Sequence, residues 1–104
     1  MTARTPRFLA SARAEAETAA RWYEAREAGL GGDFVAELER AVEQILTTPD
    51  AWPICQHDDR ARRFLLSRFP YAVVYLVQDD ALVVVAVAHG KRRPGYWRGR
   101  PHSE

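Results

Sequence analysis

The sequence RRFLLSRFPYAVVYLVQDDALVVVAVAH, residues 62–89, decides the fold. Its first two segments, RRFLLSRF and YAVVYLVQ, follow a period of two residues. Alternate side chains then lie on opposite faces, as in a β-strand with one face against a core. The last segment, ALVVVAVAH, is apolar on both faces, as a central strand would be. Phe69-Pro70 and Asp79-Asp80 supply two tight connections between the segments. The stretch therefore predicts a three-stranded antiparallel meander.

Two helices are predicted upstream of the meander, in residues 11–27 and 29–50. Each segment carries an apolar stripe at helical spacing. In the first helix Ser11 is expected to cap the start and Glu15 to lie in the first turn, with Gly29 ending the helix. The Gly-rich connection is short, so the two helices form an αα-hairpin. The stripes consist of Ala12, Ala16, Ala19 and Tyr23 in the first helix and of Phe34, Leu38, Val42 and Ile45 in the second.

The predicted fold class is α+β. A meander needs a cover on one face, and the αα-hairpin is the segment able to supply it. The short RFL sequence near residue 8 can add an N-terminal edge strand, which gives the element order β-α-α-β-β-β. A chain of 104 residues builds one core, so we predict a single domain over residues 1–104.

Composition narrows the class of protein. Cys55 is the only cysteine, which excludes an internal disulfide framework and fits a reducing compartment. No run approaches 18 apolar residues, and we expect a cytoplasmic protein without a membrane partner. The formal net charge is only +1, yet residues 1–50 carry a charge of −3 and residues 51–104 a charge of +4. Positive charge is thus concentrated in the half of the chain that holds the sheet.

The densest charge follows the last strand. His89 ends that strand, and Lys91, Arg92 and Arg93 come directly after it, followed by Tyr96 and Trp97. Three adjacent cations beside two aromatic residues are typical of a surface for phosphates or for an acidic partner. The alternatives are a solvated tail, a structural His89 at the strand end, and aromatic rings that cap the core.

Three more cations, Arg62, Arg63 and Arg68, accompany the first strand of the meander. They are candidates for binding the same target, or they solvate an edge strand and prevent edge-to-edge association. In the first helix, Trp22 and Tyr23 either anchor the helix on the sheet or contact a protein partner. The sequence CQHDD, residues 55–59, holds metal-ligand side chains, but its spacing matches no familiar site. We therefore predict neither a metal nor another cofactor.

Three segments, WYEAREAGLGGDFVAELERAVEQI, RRFLLSRFPYAVVYLV and VVVAVAHGKRRPGYW, resemble the RelE/ParE superfamily of toxins from type II toxin-antitoxin systems. The similarity covers about residues 5–98. It implies a small bacterial toxin that is neutralised by a cognate antitoxin, in a complex of the two proteins. The superfamily includes ribosome-dependent mRNA endonucleases, which are RelE-like, and DNA gyrase poisons, which are ParE-like.

The resemblance also implies residue roles. Arg92 and Tyr96 are similar to an Arg and a Tyr in the tail of RelE-like nucleases, so His89, Arg92 and Tyr96 are the catalytic candidates if the chain cleaves RNA. Where RelE-like sequences carry an Arg in the strand FPYAVVY, this chain has Ala72. That departure favours a ParE-like gyrase poison, which is not a classical enzyme. The mRNA endonuclease and a non-toxic binding module remain the alternatives.

Overall fold

The computed structural model describes residues 5–104; the first four residues of the predicted domain lie outside the described part. Two helices pack on one face of a five-stranded mixed sheet, which confirms the α+β class. The sheet order is β1-β5-β4-β3-β2. The elements are β1 Thr5–Phe8, α1 Ala10–Arg26, α2 Leu30–Thr47, β2 Ile54–Cys55, β3 Asp58–Leu65, β4 Tyr71–Gln78 and β5 Ala81–His89.

The predicted meander is present as β3, β4 and β5, with β4 antiparallel to both β3 and β5. Asp79, at φ 55°, takes the left-handed conformation that the two-residue turn between β4 and β5 requires. The N-terminal edge strand is also present, but β1 pairs with β5 in parallel, so the sheet is mixed rather than purely antiparallel.

The sheet extends further towards its other edge than the sequence indicates. The segment CQHDD forms a hairpin, because Cys55 ends β2 and pairs with Asp58 at the start of β3. Residues in this hairpin are mostly polar and exposed, so they lack the apolar alternation by which strands are recognised. The prediction of a first strand that starts at Arg62 and runs to the Phe69-Pro70 connection was therefore displaced: the strand begins four residues earlier and ends at Leu65, and five residues connect it to β4.

The core lies between the sheet and the helices. The predicted stripe of α2 is buried, with Phe34 and Ile45 fully enclosed. Helix α1 buries only small residues against the sheet, chiefly Ala12 and Ala19, so its backbone runs close to β5. Tyr23 of α1 joins the helix layer to the sheet, since its ring centroid lies 5.5 Å from that of Phe34 in α2 and 6.3 Å from that of Tyr71 in β4. The predicted packing of the αα-hairpin on the meander is confirmed.

Helix α1 begins differently from its predicted start. Leu9 is the N-cap residue and makes no side-chain cap, so the prediction that Ser11 caps the helix was wrong. Ser11 already lies inside α1 and donates a hydrogen bond from its hydroxyl to the carboxylate of Glu104. Glu15 is likewise past the first turn. The chain enters the helix straight from β1, and burial of Leu9 fixes the entry point in place of a polar cap.

The turn between the helices is organised by Glu24. Helix α1 ends at Arg26, so Gly29 does not end it; Gly29, at φ 92°, is instead the N-cap residue of α2. The Glu24 carboxylate accepts hydrogen bonds from the backbone N–H of Gly29 and of Gly31, both at 3.0 Å. A carboxylate at a helix N-terminus accepts hydrogen bonds from N–H groups that have no partner within the helix, and its negative charge interacts favourably with the helix dipole. The hairpin is therefore fixed by a side chain from the preceding helix.

The closest approach of the two helices predicts a large difference between two neighbouring glycines. At Gly31 an added Cβ would lie 2.5 Å from the carbonyl oxygen of Ala20, whereas at Gly32 it would meet nothing within 4 Å. Gly31→Ala is expected to lower the free energy of unfolding by about 1–3 kcal/mol, because α1 and α2 must separate. Gly32→Ala, the matched control, is expected to raise it by up to about 1 kcal/mol through helix propensity. Urea denaturation measures both, and equal effects would contradict the prediction.

Within residues 5–104, neither α1 nor α2 contains an apolar stretch of the length that spans a bilayer.

Candidate functional site

The segment after β5, residues 90–104, is here called the tail and covers the sheet face opposite the helices. The chain turns back at the end of the strand, where the N–H of Gly90 donates to the carbonyl of Pro70 at 2.8 Å. Trp97 then packs on the sheet and is only 6% exposed. Gly95, at φ 78°, passes so close to the β2–β3 turn that a Cβ there would lie 3.0 Å from the ring of His57. The tail is therefore a layer of the fold and positions its side chains over the sheet.

A cavity of about 310 Å³, here called the basic cavity, lies between this tail and the sheet. Its floor is a row of apolar side chains paired across three strands, Leu65 with Ala72 and Ala72 with Ala88. Arg63 of β3 lines one side, and Arg92 and Arg93 of the tail line another. The cavity thus combines a flat apolar floor with three guanidinium groups.

The structure divides the six predicted target-binding cations. Arg63, Arg92 and Arg93 line the basic cavity, and Lys91 is exposed beside it. Two others lie elsewhere. Arg62 belongs to the helix face of the sheet, where its Nη1 donates to the Trp52 carbonyl at 2.7 Å.

Arg68, the sixth cation, follows β3 and lies 3.6 Å from the carboxylate of Asp33 at the start of α2. The backbone around it is held by Glu37, a carboxylate only 9% exposed, which accepts hydrogen bonds from the N–H groups of Ser67 and Arg68. Arg68 is thus tied to the helix layer, and it does not line the basic cavity with Arg63.

The three catalytic candidates, His89, Arg92 and Tyr96, meet at the basic cavity. His89 accepts a hydrogen bond at Nδ1 from the N–H of Lys91 at 3.0 Å, which leaves the ring proton on Nε2. The Arg92 guanidinium carbon lies 3.8 Å from the centre of the Tyr96 ring. All three side chains therefore have structural contacts within the chain.

The Tyr96 hydroxyl donates to Oε2 of Glu15 at 2.8 Å. Burial, together with this hydrogen bond to a carboxylate, raises the pKa of Tyr96. A phenol with a raised pKa stays protonated near neutral pH and is a poor general base. The arrangement around Tyr96 supports binding at the basic cavity better than it supports proton abstraction.

Glu15 is the centre of a cluster that the sequence interpretation missed. Its carboxylate receives two hydrogen bonds from Arg100, at 3.1 and 2.8 Å, and one from the backbone N–H of Val87 at 3.0 Å. Arg100 also donates to the carbonyl of Val85 at 2.9 Å. Glu15 and Arg100 therefore form hydrogen bonds with backbone groups at the edge of β5, beyond the point where its pairing with β1 ends.

The charge balance of this cluster favours an ionised Glu15. Burial raises the pKa of the Glu15 carboxyl, but the hydrogen bonds from Arg100, Tyr96 and the Val87 N–H outweigh it, and the pKa is lowered. A sequence signal for this role existed, because Glu15 is a charged residue three positions from Ala12 and four from Ala19 on the buried stripe. Its partner, Arg100, lies 85 positions away, which no local pattern indicates.

The second open surface is a groove of about 670 Å³ between α1 and α2, here called the helix groove. Its apolar lining includes Ala16, Ala20, Leu38 and Val42. The charged lining residues are three carboxylates, Glu17, Glu39 and Glu43, and one cation, Arg13, so negative charge is in excess. The groove is therefore apolar and flanked by negative charge.

The two aromatic candidates for partner contact differ in exposure. Trp22 is 52% exposed, and the Arg26 guanidinium carbon lies 4.1 Å from its ring centre. Tyr23 instead packs inside the fold, 4.8 Å from the ring centre of Phe69. Only Trp22 of the pair presents most of its surface outward.

The segment CQHDD does not form a cluster of ligands. No group of three His, Cys, Asp or Glu side chains within residues 5–104 could hold a metal ion. The Asp58 carboxylate pairs with Arg60 at 3.0 Å, and Cys55 is buried. Burial raises the pKa of the Cys55 thiol, so it is not an activated nucleophile.

Comparison with known proteins agrees with the predicted resemblance. The family described as "ParE toxin of type II toxin-antitoxin system, parDE" matches residues 7–94. A solved structure titled "Chromosomal ParDE TA system from P. aeruginosa" is similar in fold, with a TM-score of 0.70 at 12% sequence identity. That similarity covers 84% of this chain and 96% of the other. No curated protein matches. With the family match spanning most of its length, this chain belongs to the ParE toxins of type II toxin-antitoxin systems.

Proposed function

We propose that this ParE toxin acts in the cytoplasm as a single domain, inhibits growth by binding DNA gyrase through the basic cavity, and is neutralised by a cognate antitoxin. One observation supports the basic cavity as the target surface: Arg63, Arg92 and Arg93 are grouped around it. Exposed cations of this kind contribute little to folding, since surface ion pairs are worth about 0–1 kcal/mol. Their grouping is better explained by an anionic ligand or partner.

Ala72 supports inhibition by binding over RNA cleavage. It lies in the floor of the basic cavity, paired with Leu65 on one side and Ala88 on the other. A cleavage site needs a cation against the phosphate, and loss of one such donor commonly costs about 10²–10³ in rate. The methyl group of Ala72 supplies none.

An mRNA endonuclease is the second candidate, because His89, Arg92 and Tyr96 line the same recess. The involvement of Tyr96 with Glu15 and of His89 with the backbone of Lys91 weakens this candidate. Binding to gyrase asks only for an accessible and rigid surface, which these same contacts provide.

The helix groove is the proposed site of the antitoxin, in a hetero-oligomer of toxin and antitoxin. Its apolar floor and acidic flank fit an amphipathic helix that carries Leu, Ile or Val on one side and Lys or Arg beside them. Trp22 is a further candidate contact, because it is the exposed member of the predicted pair. Tyr23 contributes to antitoxin binding indirectly, because its packing against Phe69 helps to fix the position of α1. An antitoxin that binds only the folded toxin also stabilises it by mass action.

Neutralising two cavity arginines is expected to separate toxicity from stability. When the chain is induced alone in bacteria, the wild-type protein should stop growth and raise the DNA-damage response. Arg92→Ala/Arg93→Ala should abolish both effects while changing the free energy of unfolding by less than about 1 kcal/mol, because both side chains are exposed. The double variant Arg21→Ala/Arg40→Ala, also exposed but on the helices, is the matched control and should remain toxic.

The same cultures test the second candidate. Codon-specific cuts in ribosome-bound mRNA, detected by toeprinting and lost in Arg92→Ala, would replace gyrase inhibition with RNA cleavage. Full growth of the wild-type strain, with no binding of the protein to an antitoxin encoded beside it, would contradict both functions.

A further inference from the structure

The Arg92 side chain is exposed where it lines the basic cavity, yet it has a defined contact within the chain. Its guanidinium carbon lies 3.8 Å from the centre of the Tyr96 ring, the shortest of the cation–π distances among the described residues. An exposed arginine otherwise has many rotamers of similar energy, and a ring against its planar face restricts them. The position of the Tyr96 ring therefore determines where Arg92 presents its charge.

The Tyr96 ring is held by a side chain from the helix layer. Its hydroxyl donates to Oε2 of Glu15 at 2.8 Å, although the two residues are 81 positions apart in the sequence. Glu15 belongs to α1, and it reaches the edge of β5, where it also accepts a hydrogen bond from the Val87 N–H at 3.0 Å. The backbone N–H of Tyr96 donates to the carbonyl of Arg93 at 3.1 Å. The tyrosine is thus fixed both at its backbone and at its hydroxyl.

The Glu15 carboxylate is a rigid acceptor. Arg100 donates to both of its oxygens, at 3.1 and 2.8 Å, and the two side chains are each 17% exposed. A bidentate pair of this kind has a defined geometry, and a change of the Glu15 rotamer would break its hydrogen bonds with Arg100, Tyr96 and Val87 together. Two roles are compatible with the cluster: it stabilises the tail through Arg100, and it orients Arg92 through Tyr96.

We propose that Glu15 is a positioning residue for target binding: by accepting the hydrogen bond of the Tyr96 hydroxyl, it orients the ring that holds Arg92 at the basic cavity. Glu15 is not among the residues that line this cavity, so it acts on the target through Tyr96. Holding the guanidinium in place before the target arrives reduces the rotamer entropy lost on binding, which corresponds to about a 3- to 10-fold gain in affinity for one long side chain. The inference deepens the proposed function and rests on it, because it takes Arg92 as a contact of the target.

Two variants separate positioning from stability. Tyr96→Phe keeps the ring but removes the hydroxyl. Glu15 then retains its hydrogen bonds with Arg100 and with the Val87 N–H. Arg100→Ala removes the ion pair, while the hydrogen bond between Tyr96 and Glu15 remains. A positioning role predicts that Tyr96→Phe weakens target binding more, although Arg100→Ala lowers the melting temperature more. A purely structural role predicts the same order in both measurements.

Target binding is measured as inhibition of DNA supercoiling by purified gyrase, with the full-length chain at a temperature where all variants are folded. Tyr96→Phe should raise the concentration needed for half-maximal inhibition about 3- to 10-fold. Arg100→Ala should inhibit as the wild type does, although it is the less stable of the two variants in thermal unfolding. If inhibition by Arg100→Ala falls as far as inhibition by Tyr96→Phe, or further, the cluster acts through stability and the proposal is wrong.

Nuclear magnetic resonance of the same proteins reports the orientation of Arg92 without any target. Protons above an aromatic face are shielded, so the side-chain protons of Arg92 should resonate upfield of their values in free arginine. This shift should shrink in Tyr96→Phe and in Glu15→Ala, and it should persist in Arg100→Ala. An unchanged shift in Tyr96→Phe, or an equal loss in Arg100→Ala, would overturn the proposal. A wild-type chain that shows the expected shifts but does not inhibit gyrase refutes the gyrase target alone.

Discussion

Replacing Glu15 by alanine is expected to lower the free energy of unfolding by about 3 kcal/mol, at the lower end of the range for breaking a buried ion pair. Glu15 and Arg100 are each 17% exposed in their side chains, so little water reaches the charge that remains. The substitution also leaves the Tyr96 hydroxyl and the Val87 N–H without their acceptor. Urea denaturation of the isolated chain measures the loss.

Two further variants show how much of that loss is specific to Glu15 and how much comes from its charge. Glu17→Ala removes an exposed carboxylate from the same helix and should change stability by less than about 0.5 kcal/mol. Glu15→Gln keeps the shape of the side chain but removes the charge, so it should fall between Glu15→Ala and the wild type. Equal stability of Glu15→Ala and Glu17→Ala would show that the cluster contributes nothing to folding.

The pH dependence of stability provides a check on Glu15 that is independent of cavity formation. Its pKa is lowered in the folded state, so the stability it contributes is complete above its ordinary value of 4.5 and is lost as the pH falls below that value. The pKa of Asp58 is also lowered, through its hydrogen bonds with Arg60, and Asp58 adds to the same acid-induced loss. Glu15→Ala should therefore reduce the slope of stability against pH below 4.5 without removing it.

Trp97→Ala is expected to cost about 3–5 kcal/mol, the range for truncating a buried Trp. Trp97 is 6% exposed and lines two cavities, so its removal joins the basic cavity to the recess beside Leu76 and Val85. For a domain of this size the loss corresponds to roughly 4–8 °C in Tm for each kcal/mol. Thermal unfolding followed by circular dichroism measures it.

Trp22→Ala is the matched control for Trp97. Trp22 is 52% exposed on the surface of α1, so the same chemical change should cost far less there. The variant at Trp97 should keep growth inhibition at temperatures where it remains folded, because its role is to support the tail. If Trp97→Ala melts like the wild type and has lost toxicity, Trp97 is a target contact and its assignment to the core is wrong.

The parts of the fold that follow from local periodicity could be predicted from sequence. The two-residue period of β4 and the 3.6-residue stripe of α2 identified both elements correctly, and Phe34 of the predicted stripe is fully buried. The family was equally accessible, because the segments around Phe69 and Lys91 carry it. In both cases the information lies within a few turns or strands of chain.

The missed features depend on distant or polar contacts. The hairpin of β2 and β3 has no apolar alternation, and the cap of α1 depends on how Leu9 is buried. The division of the cations has a simple cause: Arg62 and Arg63 are adjacent, and neighbours in a strand point to opposite faces. Grouping them by sequence proximity therefore combined side chains from two sides of the sheet. The pairing of Glu15 with Arg100 needs the whole fold.

Because β1 pairs in parallel with β5, the sheet cannot be completed until the last strand has been synthesised. β1 leaves the ribosome before the other described strands, yet its hydrogen-bonding partner is the strand that begins at Ala81. Contacts so distant in sequence close late and slow the folding reaction, because the loop entropy is lost before the contact is gained. The nascent chain therefore reaches its complete sheet only after β5 has emerged. During translation the residues of α1 and α2 are synthesised before those that complete the basic cavity.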